Sequence, residues 1–176
     1  GSQTLHGDLS APETFDKIDE LVGEKTIDVI IGGPPCQGFS LTGPRNFDDK
    51  RNKLYLAVFE VVKQFQPKGF IIENVPGMAT LYTGEIKDEI LKRFRKLGYN
   101  VECKILCAAD YGVPQIRKRV FFVGLLNSEK SFEFPLPIVS SKNYVTCEEA
   151  IGDLPALEGV LGDEIQEYTG KPLSTY

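Results

Sequence analysis

Ile27-Asp28-Val29-Ile30-Ile31-Gly32-Gly33-Pro34-Pro35-Cys36-Gln37 is the stretch on which the fold turns. Its first five residues are a short apolar run of the kind that makes a buried strand, and Gly-Gly-Pro-Pro then stops regular structure. Downstream, apolar residues at 54, 57, 58, 61, 62 and 65 follow helical spacing, so a helix is predicted from Leu54 to Phe65, closed by Pro67. Gly69-Phe70-Ile71-Ile72 makes a second strand. Glu85 to Leu97 reads as a helix, with Ile86, Ile90, Leu91, Phe94 and Leu97 on one side and Gly98 as its stop. Val101 to Leu106 and Val120 to Leu126 are the last strands, flanking a loop from Ala108 to Lys118 that is too long for a tight hairpin. Beyond Ser131 the patterning weakens, apart from a short helix between Val145 and Leu154. Strands alternating with helices argue for an α/β layer fold with a largely parallel sheet, in which ligands gather beyond the carboxyl ends of the strands.

The chain has 176 residues, 41% apolar and 26% charged, which suffices for a core and argues against wholesale disorder. No apolar run reaches the ~18 residues of a membrane span, so no membrane partner is expected. Four cysteines, at 36, 103, 107 and 147, lack the dense spacing of a disulfide framework and point to a reducing compartment, a bacterial cytoplasm or a nucleus. With His6 as the one histidine, a Cys/His zinc site has few ligands, and no metal is expected. The net charge of −5 discourages a nucleic-acid partner, yet its distribution is uneven. Between Lys92 and Arg119 eight basic residues face two acids, whereas from Glu148 to Glu167 there are seven acids and no base. A local positive surface can bind phosphates whatever the global sign, though a solvated helix face accounts equally well for Lys92, Arg93, Arg95 and Lys96.

The first two strands deliver Pro34-Pro35-Cys36-Gln37 and Glu73-Asn74-Val75 to the carboxyl edge of the sheet. Two prolines stiffen the backbone before the thiol, and glycines on both sides allow close approach of a ligand. Such a turn holds a nucleophile rigidly, or equally buries a small thiol. Glu73 is either a functional acid or a helix cap, and partial burial would raise its pKa and keep it a proton donor near neutrality. In Gln115-Ile116-Arg117-Lys118-Arg119, residues 115, 117 and 119 point one way if the segment is extended. Guanidiniums there could bridge the Cys36 loop to an acceptor on a substrate, or simply be surface charge.

Pro-Pro-Cys-Gln after one strand, Glu-Asn-Val after the next and Gln-x-Arg-x-Arg before a later one, in this order, resemble the DNA (cytosine-5)-methyltransferase family. Arg51-Asn52-Lys53-Leu54-Tyr55 resembles the motif after that family's catalytic loop, and Cys147 to Pro155 the segment after its core motifs, so the likeness covers about residues 5–155. It implies a partial Rossmann-like, S-adenosylmethionine-dependent methyltransferase fold, with a mostly parallel sheet and a late antiparallel strand. By motif match Cys36 would be the thiolate that adds to carbon 6 of cytosine. Glu73 would contact ring nitrogen 3 and the exocyclic amine, Arg119 the ring oxygen, and Arg117 would brace the catalytic loop. Gln37, Asn74 and Gln115 would line the substrate, a base flipped out of double-stranded DNA. For S-adenosylmethionine, Asp8 in Gly7-Asp8-Leu9 would meet the adenine amine, with Pro34, Ser40 and Leu54 at the remaining matched positions.

The family's Gly-rich cofactor loop and its target-recognition domain have no counterpart in this sequence. The resemblance therefore implies that residues 1–130 are the central part of a catalytic domain and 131–176 a connector toward target recognition. Missing segments, or a complementary chain, would complete an enzyme of the restriction-modification type that is inactive in this portion alone. Three other readings stay open: a tRNA cytosine-5 methyltransferase, which shares the Cys and Glu motifs; a non-catalytic methyltransferase-like subunit, against which the intact Cys36, Glu73 and Arg119 set speaks; and, weakest, a cysteine hydrolase, which lacks an obvious paired base.

Overall fold

Gly69–Asn74 forms a strand flanked on both sides, and the neighbouring elements assemble on it. A computed structural model of the chain describes residues 2–9, 11–35, 54–155, 168 and 170–172, with backbone alone for 54, 55, 81 and 82. Its elements are, in order, α1 (Pro12–Val22), β1 (Val29–Gly32), α2 (Leu54–Phe65), β2 (Gly69–Asn74), α3 (Gly77–Thr80), α4 (Glu85–Lys96), β3 (Tyr99–Cys107), β4 (Lys118–Leu126) and α5 (Cys147–Ile151). They fall into two compact units, residues 1–106 with 119–134, and residues 107–118 with 135–176.

In the first unit the strand order is β1-β2-β4-β3. β1 runs parallel to β2, pairing Val29 with Gly69 and Gly32 with Ile72, while β4 runs antiparallel to β2, pairing Gly69 with Leu125 and Asn74 with Val120. The α/β class and the late antiparallel strand are present, but the described sheet is mixed and antiparallel after its first pair. The reason lies in the connections. A parallel neighbour requires a crossover, which α4 supplies before β3, whereas β4 follows β3 through a loop and so runs back along the sheet. Asn127 N–H donates to Gly98 O at 3.0 Å where β4 ends beside the start of β3.

The apolar faces read from helical spacing supply the core. Val58 and Val62 of α2, Ile86, Ile90 and Phe94 of α4, and Phe70, Ile72, Tyr99, Val101, Val120 and Phe122 of the sheet form one buried cluster. Phe70 is its centre, 4.2 Å from the Phe94 ring and 5.1 Å from Tyr99 by ring centroids. The Tyr99 hydroxyl donates to Pro67 O at 2.8 Å, and burial pushes its pKa up to about 12. Helix α1 is absent from the sequence reading. Its N-cap is Ala11, which offers no side-chain cap, so the usual Ser, Thr, Asp or Asn start signal is missing. Pro12 in the first turn, with Phe15, Ile18 and Val22 at helical spacing, is the signal that was there to be used.

The second unit has less regular structure. Ala108–Tyr111 is a single 3-10 turn, ended by Gly112 at φ +89°, a left-handed conformation that suits glycine. α5 starts on a capping box: Glu149 N–H donates to the Thr146 hydroxyl at 3.1 Å, and Thr146 N–H donates to the Glu149 carboxylate at 2.8 Å. Among the described residues no helix is long and apolar enough to cross a membrane.

Gly124 faces Phe70 across the β2/β4 pair, and a β-carbon there would lie 2.2 Å from Phe70 Cε1 and 2.5 Å from Cζ. Phe70 is 1% exposed and wedged against Phe94, so the ring has nowhere to go. Gly124→Ala should cost about 1–3 kcal/mol by overpacking, read from urea unfolding, and adding Phe70→Leu should recover part of that loss. Strict additivity of the two substitutions would mean that the clash is not the cause.

Candidate functional site

The β1/β2 register ends at Gly32 and Ile72, and just beyond it Gly33 and Pro34 lie close to Glu73 and Asn74. Side chains alternate along β2, so Ile72 and Asn74 share the buried face and Glu73 emerges on the other. Asn74 is 3% exposed, a degree of burial that a primary amide tolerates only when its groups are paired. Its Nδ2 donates to the Pro34 carbonyl at 3.0 Å, and its Oδ1 accepts from Val75 N–H at 2.8 Å. The amide thus ties the end of β1 to the end of β2, immediately ahead of Cys36.

Glu73 lies opposite Phe121 on β4, and Arg119, two residues from Phe121, shares its face. The diagonal is closed by an ion pair, with Arg119 Nε donating to Glu73 Oε1 at 2.9 Å and the side chains 25% and 35% exposed, respectively. The other carboxylate oxygen, Oε2, would lie 3.6 Å from a β-carbon at Gly33, so the acid sits over the glycine that leads into Pro34-Pro35. Three sequence segments distant along the chain therefore meet at one strand end: Gly33-Pro34, Glu73-Asn74 and Arg119.

The remaining expected site residues are placed differently. Cys36, Gln37 and Ser40 lie outside the described residues, as does the side chain of Leu54 at the start of α2. Asp8 is exposed just before α1, and its carbonyl accepts from Ala11 N–H at 3.0 Å. Gln115 and Arg117 are exposed and belong to the second unit. Gln115 N–H donates to Val113 O at 2.7 Å and Arg117 N–H to Gln115 O at 2.9 Å, the i to i+2 pattern of successive tight turns. The segment is thus not extended before Lys118, and strict alternation does not apply to 115, 117 and 119 as one set.

Two features escaped the sequence reading: the clamp by Asn74 and the pairing of Glu73 with Arg119. Extending the second strand by two residues would have put Asn74 on the buried side with Ile72. The ion pair depends on the β2/β4 register, which no local pattern announces. The donor set also suits the cofactor implied by the resemblance. An exposed carboxylate at Asp8 can accept from an adenine amine.

Residues 7–171 match the family model described as C-5 cytosine-specific DNA methylase. The chain is 43% identical over 170 residues to the Type II methyltransferase M.DdeI of Desulfomicrobium norvegicum, covering 93% of the chain and 41% of that protein. It is also 43% identical over 158 residues to the Type II methyltransferase M1.HphI of Haemophilus parahaemolyticus, covering 88% and 41%. Among solved structures, a prophage-encoded protein described as a DNA modification methyltransferase (E. coli) superposes with a TM-score of 0.63 at 33% identity, over 86% of this chain and 42% of the other. The chain thus spans about two fifths of the length of the curated relatives it matches.

The Asn74 clamp can be tested on the chain itself. Asn74→Asp keeps the shape and the acceptor but removes the donor to Pro34, and should lower unfolding free energy by about 1–3 kcal/mol in urea at neutral pH. A change under about 0.5 kcal/mol, the scatter of ordinary surface substitutions, would show that the Pro34 carbonyl does not depend on this amide.

Proposed function

Because the chain belongs to the C-5 cytosine-specific DNA methylase family, we propose that it forms the central catalytic part of an enzyme that methylates carbon 5 of cytosine in double-stranded DNA. The observation that carries this reading is the Glu73–Arg119 ion pair at the end of β2, set beside Gly33 and Pro34. That arrangement puts an acid and a guanidinium, each partly exposed, at the mouth of the turn that leads to Cys36. Since the chain spans 41% of its relatives, the activity is that of the complete enzyme, with residues 1–130 in its catalytic core and 131–176 leading toward target recognition.

The chemistry explains the residue types. Carbon 5 of cytosine is a poor nucleophile. When the Cys36 thiolate bonds to carbon 6, the electrons of the 5,6 double bond shift to carbon 5 and make it enamine-like. S-Adenosylmethionine, when bound, supplies an electrophilic sulfonium methyl that carbon 5 can accept, and Asp8 and Pro34, with Ser40 and Leu54, would hold it. Loss of the carbon 5 proton then re-forms the double bond and expels Cys36 as thiolate. Glu73 favours the thiolate addition by hydrogen bonding or proton donation at ring nitrogen 3, and Arg119 orients that carboxylate while remaining near the ring oxygen. Asn74 contributes through Pro34, whose carbonyl it holds. By the family resemblance, Gln37 and Gln115 would contact the substrate and Arg117 would brace the catalytic loop. The base reaches this site only after leaving the helix stack, since neither thiol nor methyl donor can approach it inside a duplex.

A duplex carrying 5-fluorocytosine tests the nucleophile, because fluorine at carbon 5 cannot leave as a proton does. The complete enzyme should be trapped on that DNA as a covalent adduct, and Cys36→Ser should abolish trapping; an undiminished adduct in the variant would remove Cys36 from the role. For Glu73→Gln, turnover should fall by ~10²–10⁴ with DNA affinity little changed, as expected for lost acid–base assistance. Turnover within a factor of about two of the parent would assign the task to another group.

A further inference from the structure

The loop between β3 and β4 carries Gln115 and Arg117, and the second unit holds it by a set of tethers from one later stretch of chain. Asp110 is the hub. Its backbone carbonyl accepts from Ile138 N–H at 2.9 Å and from Val139 N–H at 3.0 Å, and its carboxylate accepts from the Tyr144 hydroxyl. Around it, Tyr111 Oη donates to Pro135 O at 3.0 Å and the Cys147 thiol to Pro114 O at 3.3 Å. The loop also bonds to itself: Ala108 N–H donates to Arg117 O at 2.9 Å and Val113 N–H to Ala108 O at 3.3 Å. Residues 110–114 are thereby fixed by residues 135–147, and Arg117 is fixed through the Ala108 bond that closes the loop.

We propose that Asp110 and Tyr144 are positioning residues, whose hydrogen bond ties residues 135–147 to the loop and so sets the presentation of Gln115 and Arg117. Four of these tethers end on backbone groups and are indifferent to side-chain identity on that side. The Asp110–Tyr144 bond joins two side chains, so conservative substitutions can probe it from both ends. It is a charge-assisted bond, of the stronger kind. That bond also raises the Tyr144 pKa to about 12, above the ~10 of an unfolded tyrosine, so the hydroxyl remains a donor throughout the neutral range. By linkage its contribution is fully present below pH ~10 and is lost as pH rises through about 12. The catalytic consequence rests on the methyltransferase reading above, whereas the tether itself does not.

Two variants separate the bond from general folding. Tyr144→Phe removes the donor, while Asp110→Asn keeps an acceptor oxygen for the hydroxyl and serves as the rescue. In hydrogen exchange on the 176-residue chain, Tyr144→Phe should speed exchange at Val113, Gln115 and Arg117 by about tenfold, Asp110→Asn by much less, and neither should change β2. Unaltered exchange in the loop, or protection lost equally in β2, would overturn the proposal. In the complete enzyme, Tyr144→Phe should slow adduct formation with 5-fluorocytosine DNA by about tenfold at unchanged S-adenosylmethionine affinity, with Asp110→Asn close to the parent. Parental adduct kinetics in Tyr144→Phe, alongside the faster exchange, would overturn the positioning role. A parent enzyme that forms no adduct would instead defeat the proposed function, and hydrogen exchange would then decide the tether alone.

Discussion

A buried amide has to be paired, and in this chain that requirement joins two strand ends. Asn74 sits 3% exposed beneath the carboxyl edge of the sheet and satisfies itself on the Pro34 carbonyl. Pro34 and Pro35 offer no N–H of their own, so the turn lacks two donors that might otherwise hold it. Asn74 supplies one from the neighbouring strand. Once that bond exists, strand alternation turns Glu73 to the opposite face, where the antiparallel register of β4 meets it with Arg119. The arrangement of acid, cation and Pro-Pro turn follows from one hydrogen bond and two strand registers.

The burial that stabilises the first unit and the groups assigned to the proposed function lie in different places. The aromatic group of Phe70, Phe94 and Tyr99, with the aliphatic residues of α2 and α4, carries the burial that holds the first unit together. The Glu73–Arg119 pair is a quarter to a third exposed, and pairs of that kind contribute only ~0–1 kcal/mol to folding. Its worth lies in geometry: a carboxylate held by a guanidinium has a fixed direction before any ligand arrives, which is the condition for preorganised catalysis. The same division recurs in the second unit, where Asp110, Tyr144 and the backbone of 135–139 constrain a loop that has little apolar packing of its own to constrain it.

Much of the first unit was legible in the sequence, but β1, expected as a buried strand, stands at one end of the described sheet order with Val29 and Ile31 exposed. Helical spacing located α2 and its end at Phe65, and placed Ile86, Ile90 and Phe94 on the buried face of α4. Glu73 at a strand end and the order of the three motifs were enough to mark the family resemblance. What the sequence hid depended on partners remote along the chain. α1 begins on an alanine rather than a capping residue, and β4 enters the sheet beside β2, two strands back, which local periodicity does not encode. The expectation that 115, 117 and 119 share a face assumed an extended backbone, and the paired tight turns at 113–117 replace it. The Asn74 clamp was hidden because it depends on the parallel register of β1 with β2, a property of two segments about 40 residues apart.

The role proposed for this strand end is methyl transfer to carbon 5 of cytosine. The most direct measurement is product identity. The complete enzyme would be supplied with DNA and isotopically labelled S-adenosylmethionine, and the DNA digested to nucleosides for chromatography and mass spectrometry. Label is expected in 5-methyldeoxycytidine alone. Label in an exocyclic amino group of cytosine or adenine, or label entering RNA while DNA stays unmodified, would contradict it.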